Sequence, residues 1–157
     1  MMSSLSLRRA TAGDAATIKQ MVRAARLNPF RLDWQRFWLA VNAEQEVVGC
    51  IQVKPHGGGV NELASLVTQP GWRGQGVGRL LVTHLQQEVG PPLWLMCESG
   101  LTSFYQRFGF VEVREMGEMP AHFRFMRRLS RLFFPPRSGR YLAIMLWGGP
   151  KAAASNF

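Results

Sequence analysis

Apolar residues along the chain follow two periods in turn. Residues 5–10 (LSLRRA) alternate and predict a first strand. A helical spacing follows to about Arg26, with Thr11 or Asp14 as its cap, and Asn28-Pro29 breaks it. Residues 32–37 (LDWQRF) predict a short second helix. The runs 37–42 (FWLAVN) and 46–55 (EVVGCIQVKP) predict strands joined by a turn around Asn42 to Gln45. HGGG reads as a flexible turn, and 62–69 (ELASLVTQ) as another strand. Over 76–88 the spacing returns to 3.6, with Val77, Leu81, Leu85 and Val89 near one stripe. Gly90-Pro91-Pro92 ends that helix. A strand at 93–99 (LWLMCES), a short helix at 101–108 and a strand at 109–115 come next. A basic helix at about 121–133 stops at Pro135-Pro136, and 140–147 (RYLAIMLW) gives a last strand. There is no internal repeat. The early strands pair as hairpins and the later ones connect through helices, which is a mixed α/β order.

The chain has 157 residues, of which 46% are apolar. That suits one domain spanning 1–157 with its own core, and excludes a disordered chain. No apolar run approaches the roughly 20 residues of a membrane span. The opening MMSSLSLRRATAGD has no secretory signal, so a cytoplasmic location is expected. Cys50 and Cys97 each sit in an apolar strand-like run. They read as buried free thiols, with a bridge between them left open. The formal charge of +9 is uneven. After Pro120 there are six arginines (124, 127, 128, 131, 137 and 140) and Lys151, and no acidic residue. Such asymmetry points to an anionic partner, from a nucleotide diphosphate to RNA.

The segment QPGWRGQGVGRLLVTHL, from Gln69 to Leu85, carries alternating glycines at 74, 76 and 78 where a helix begins. It is not a dinucleotide fingerprint, because Arg79 stands where a third glycine is needed. It is not a Walker loop, because Val77 stands where Lys is needed. The physics common to both motifs remains. Glycine lets backbone approach a ligand closely. The first helical turn has unpaired N–H groups and the positive end of the dipole, which suit a phosphate or pyrophosphate. Arg73 and Arg79 add charge.

The spacing Arg73-x-x-Gly76-x-Gly78 resembles the acyl-CoA-binding motif of the GNAT superfamily of N-acyltransferases. The preceding ELASLVTQP is similar to the strand before that motif, and FYQRFGF (104–110) resembles the second signature of the family. The order of elements fits from Leu5 to about Val113, with a last strand near 141–147. The stretch 116–140 is a basic extension that the resemblance does not explain. The resemblance implies an α/β (α+β) fold: a mixed, mostly antiparallel sheet, splayed between strands 4 and 5 and flanked by helices. It implies acetyl-CoA as co-substrate. The diphosphate would rest on the amides of Gly74, Gln75, Gly76, Val77, Gly78 and Arg79, beside Arg73. The pantetheine arm would lie along Leu66, Val67 and Thr68, where its amides pair with an open strand edge.

An amine attacks a thioester only when neutral, and an alkyl ammonium has a pKa near 10, so a base is needed. The resemblance places Glu62 in that role. Glu98 is the rival, standing where many relatives have an asparagine that contacts CoA. Tyr105 resembles the tyrosine near the CoA sulfur that acts as general acid, and a main-chain N–H of 66–68 is the natural donor to the oxyanion. No covalent enzyme intermediate is required. His56, His84 and His122 show no metal-ligand spacing, so no metal is expected. For the acceptor, Asp33 and Trp34 are the candidates, with Glu98 a third: Asp33 to hold a cationic amine and Trp34 to stack on it.

The function expected is an acetyl-CoA-dependent N-acetyltransferase, acting on a primary amine of a small molecule or protein by direct attack in a ternary complex. The alternative is an acyl-CoA-binding or nucleic-acid-binding module on the same fold. A homodimer is left open. In the basic helix, Arg124, Arg127 or Arg128, and Arg131 share one face, with Phe125, Met126, Leu129 and Phe133 elsewhere, which reads as a solvated face over a hydrophobic stripe.

Overall fold

The structure, a computed structural model, describes residues 4–149. Lys151 lies outside the described residues. Seven strands form one mixed sheet in the order β1-β2-β3-β4-β5-β7-β6. The pairs β1–β2, β2–β3, β5–β7 and β6–β7 are antiparallel, and β4–β5 is parallel. This is the mixed, mostly antiparallel α/β architecture expected. The chain divides into two units, and the division falls within β4, between Glu62 and Leu63.

The first unit comprises residues 4–54 and 63–88. It holds β1 (Ser6–Arg9), α1 (Ala15–Ala24), β2 (Phe37–Val41), β3 (Val47–Pro55) but for its last residue, most of β4 (Asn61–Thr68), and α2 (Val77–Val89) but for its last residue. Ile18, Met21 and Val22 of α1 pack on Phe37, Leu39, Cys50 and Val67 to form its core. The Asn42 side-chain carbonyl accepts from the amides of Glu44 and Glu46 and closes the β2–β3 turn. Residues 12–14 form a single 3-10 turn ahead of α1, capped by Thr11. The expected second helix is likewise only a 3-10 turn, Trp34–Arg36.

Two contacts in this unit bear on its stability. Asp14 takes both guanidinium nitrogens of Arg8 at 2.8 and 2.9 Å and the Thr11 amide at 2.7 Å. The Arg8 hydrogen bond holds its carboxyl well below the usual carboxylate range, against an opposing effect of burial. A depressed folded-state pKa gives stability that is complete above the ordinary value of 3.8 and is lost as pH falls below it. Asp14→Ala is therefore expected to cost about 1–3 kcal/mol near neutral pH. In urea melts, that difference from the parent should narrow as pH falls below 4. The second contact is at Gly49 on β3. A Cβ there would lie 2.5 Å from Val77 Cγ1 and 3.0 Å from both Leu81 Cδ1 and the Val67 carbonyl. The bare glycine lets α2 sit against β3 and so sets the height of the loop that precedes it. Gly49→Ala is expected to cost about 1–3 kcal/mol by overpacking, read as a lowered Tm.

The second unit comprises residues 55–62 and 89–149. It contains β5 (Leu93–Glu98), α3 (Thr102–Gln106), β6 (Val111–Val113), α4 (Ala121–Ser130) and β7 (Leu142–Trp147). The start of β4 joins it through the parallel pair Glu62↔Trp94. Trp94, Met119, Phe123 and Ile144 form its core. Arg127 holds α4 to β7 by donating to the Leu142 carbonyl, with its guanidinium 4.8 Å from the Tyr141 ring centroid. The orientation of α4 differs from the expected apolar stripe facing inward. Phe123 and Ser130 are the buried residues of α4, while Phe125, Leu129 and Phe133 are exposed.

Candidate functional site

In the first unit the chain leaves β4, passes a 3-10 turn at Pro70–Trp72 and enters α2 through Arg73 to Gly76. Gly74 and Gly76 have φ of 78° and 85°. A side chain is strained at such angles, and no heavy atom lies within 4 Å of where a Cβ would stand at either position. The glycines therefore answer a demand of the backbone and not of crowding, and the space beside the loop is open. The Leu80 amide bonds the Gly76 carbonyl at 3.0 Å, so the first-turn amides of Val77, Gly78 and Arg79 precede the i→i−4 ladder. Val77 is buried and anchors the turn, so it offers only its main chain, whereas Arg73, Gln75 and Arg79 are exposed.

The strand leading to the loop contains a feature that sequence reasoning missed. Ser65 lies in the left-handed region with φ of 57°. Its carbonyl accepts from Cys50 Sγ at 3.5 Å and its hydroxyl accepts from Gln52 Nε2 at 2.8 Å. A non-glycine residue in this region costs energy that its surroundings must offset. The irregularity sits directly before Leu66, Val67 and Thr68. Val67 is buried in the first core, while Leu66 and Thr68 are half-buried. Serine is unremarkable in a strand, so nothing in the sequence marks the position.

The second unit carries the ionisable groups. The β3–β4 turn is closed by the His56 amide on the Val60 carbonyl at 2.9 Å. It brings His56 Nε2 to 2.7 Å from Glu62 Oε1. His122, from the first turn of α4, places its Nε2 3.7 Å from the same oxygen. The two imidazoles are stacked, with centroids 3.9 Å apart. Glu62 is 3% exposed, so it is not a charged residue waving at a strand end. Sequence spacing did not reveal this cluster, because a turn and a distant helix bring the three groups together.

Tyr105 is buried on α3, edge-on to Phe104 and Phe110. Burial, and after it the neighbouring Cys97, raises its phenol above the ordinary value near 10, so it stays protonated. Both cysteines are free and buried. Burial pushes the thiols of Cys50 and Cys97 up to about 12, which leaves neither as a thiolate nucleophile. Glu98 is half-exposed and pairs with Arg140 at 3.3 Å. Asp33 accepts from the Gln35 amide at 3.0 Å and caps its 3-10 turn, and Trp34 packs against the first core. Both of these acceptor candidates therefore have structural roles in the fold. Among the described residues, no helix is long and apolar enough to cross a membrane.

Residues 33–112, about half the chain, match the model of the acetyltransferase (GNAT) domain family. No curated protein matches the chain. Solved structures do. One is N-acetylglutamate synthase from Neisseria gonorrhoeae, complexed with coenzyme A and N-acetyl-glutamate. It has a TM-score of 0.73 and 19% identity over 92% of this chain, which spans only 35% of that one. Another is Rv2747 from Mycobacterium tuberculosis in complex with CoA, with a TM-score of 0.69 and 23% identity, covering 91% of this chain and 98% of that one. A third is a GNAT-family acetyltransferase from Staphylococcus aureus Mu50, at 0.65 and 16%, covering 92% and 99%. At these identities the structures show the fold.

Proposed function

Because the chain belongs to the GNAT acetyltransferase family, we propose that it moves an acetyl group from acetyl-CoA to a primary amine by direct attack. The observation that carries this reading is the loop 73–79. Its positive-φ glycines, open surroundings and first-turn amides fit a diphosphate, and Arg73 and Arg79 supply compensating charge. The complexes of similar folds with CoA support the same ligand.

Acetyl-CoA supplies the thioester, and this chain's residues do the rest. Main-chain groups of Leu66, Val67 and Thr68 hold the pantetheine amides and donate to the developing oxyanion. Glu62 takes the proton that the ammonium must lose before nitrogen can form the new C–N bond. His56, in the tautomer with its proton on Nε2, donates to Glu62 Oε1 and fixes the carboxylate. When the C–S bond breaks, Tyr105 meets the departing sulfur, which ends as the CoA thiol by taking up the second proton that nitrogen sheds as the amide forms. The raised pKa of Tyr105 makes it a hydrogen-bond donor that stabilises the thiolate, not a group that itself ionises at neutral pH.

The test is release of CoA thiol from acetyl-CoA across a panel of amines. The panel includes L-glutamate, since N-acetylglutamate synthase is among the similar structures. Release with at least one amine, with the acetyl group recovered on nitrogen, is expected. CoA binding without release for any amine would instead identify an acyl-CoA-binding module.

A further inference from the structure

We propose that His56, Glu62 and His122 form a binding site for a divalent transition-metal ion, zinc being the leading candidate. Their ligand atoms all lie within 4.8 Å of one another. A tetrahedral ion with bonds of about 2.0–2.1 Å spaces its ligands roughly 3.3 Å apart. The Glu62 oxygen lies 2.7 Å from His56 Nε2 and 3.7 Å from His122 Nε2, on either side of that value. Sub-ångström shifts bring these two contacts to that value, and the stacked imidazoles must also turn so that both nitrogen lone pairs meet the ion. Two ligands are nearly fully buried, while His122 is 34% exposed at its side chain and offers an entry path. Phe123 stands edge-on to both imidazoles, so the site has an apolar wall. Two imidazoles and one carboxylate suit zinc or cobalt and are too few and too soft for calcium or magnesium. On binding, the His56 proton moves from Nε2 to Nδ1, freeing Nε2 to coordinate.

One consequence rests on the function proposed above: an ion held by Glu62 removes the base, so zinc inhibits transfer. The metal-free protein is titrated with Co²⁺ and followed by visible d–d absorption, with Zn²⁺ competing. Intense tetrahedral-type bands that zinc abolishes are expected. His122→Ala, a change at a half-exposed position, should weaken binding by at least about 100-fold, and His56→Ala should do the same. No such bands, or unchanged affinity in His122→Ala, would overturn the site. Thiol release by metal-free protein tests the transferase reading separately, and EDTA should reverse any zinc inhibition.

Phe125, Leu129 and Leu132 recur at i, i+4 and i+7 and, with Phe133, are 61%, 38%, 78% and 74% exposed. Arg124, Arg128 and Arg131 recur at the same spacing one residue earlier, so a basic row flanks an outward apolar stripe. The chain beyond Pro120 has no acidic residue. Apolar side chains beside arginines, in a stretch of sequence without an acidic residue, are complementary to an anionic lipid surface. We infer that this face of α4 and the turn after it docks on anionic bilayers. Co-sedimentation compares vesicles of phosphatidylcholine alone with vesicles holding an equal share of phosphatidylglycerol. Binding to the second only, weakening with salt, is expected. Changing Arg124, Arg128 and Arg131 to Gln should reduce it about 100-fold, and Phe125, Leu132 and Phe133 to Ser should also release it. Equal binding to both vesicles, or a dimer that the Ser variant dissolves with no vesicle binding, would overturn it.

Discussion

Glu62→Gln is expected to lower kcat about 10²–10⁴-fold at neutral pH while leaving CoA affinity unchanged. The substitution keeps the shape of the side chain and an oxygen able to accept from His56 at the same position. What is lost is the ability to take a proton. The deficit should therefore depend on pH in one direction. An alkyl ammonium titrates near pH 10, so the variant should recover toward the parent rate as pH rises and the amine deprotonates by itself. A deficit that is constant with pH would mean that Glu62 binds the acceptor and does not deprotonate it. Undiminished turnover would move the base elsewhere, with Glu98 the next to test. Glu98 is half-exposed and paired with Arg140 at 3.3 Å.

Tyr105→Phe is expected to lower kcat about 10²-fold, with little change in the acceptor KM. Burial keeps the phenol protonated, and in the proposed mechanism it contributes a hydrogen bond to sulfur at the moment charge appears there. An acyl donor with a better leaving group needs that bond less. The ratio of parent to variant rates should thus shrink with an activated thioester such as an acetyl aryl thioester. An unchanged ratio would reduce Tyr105 to a packing residue held between Phe104 and Phe110.

The parts of this chain that were legible in the sequence are those where one residue type answers one local demand. Gly74 and Gly76 sit where the backbone turns left-handed, and only glycine does so without strain, so the loop announced itself. The strand and helix periods were likewise readable because each element of the sheet has one inward face. The His56–Glu62–His122 cluster was not legible, because it depends on how the β3–β4 turn closes and where α4 docks. Neither event leaves a spacing in the chain. Ser65 was hidden for a related reason: its left-handed backbone is held by Cys50 and Gln52 from a neighbouring strand, and serine itself gives no warning. The α4 orientation failed differently. Its sequence offers two apolar stripes, one through Phe123 and one through Phe125 and Leu129. Periodicity cannot say which one the core takes. Phe123 won by packing on Trp94, with ring centroids 5.4 Å apart.

Isothermal titration of the protein with CoA and with pantetheine reads the hold of the glycine loop, since the two ligands differ by the diphosphate and the nucleotide beyond it. Main-chain amides from Gly74 to Arg79 gripping that diphosphate predict saturable binding of CoA and at least about 100-fold weaker binding of pantetheine. No heat with CoA, or equal affinity for the two, would contradict the account.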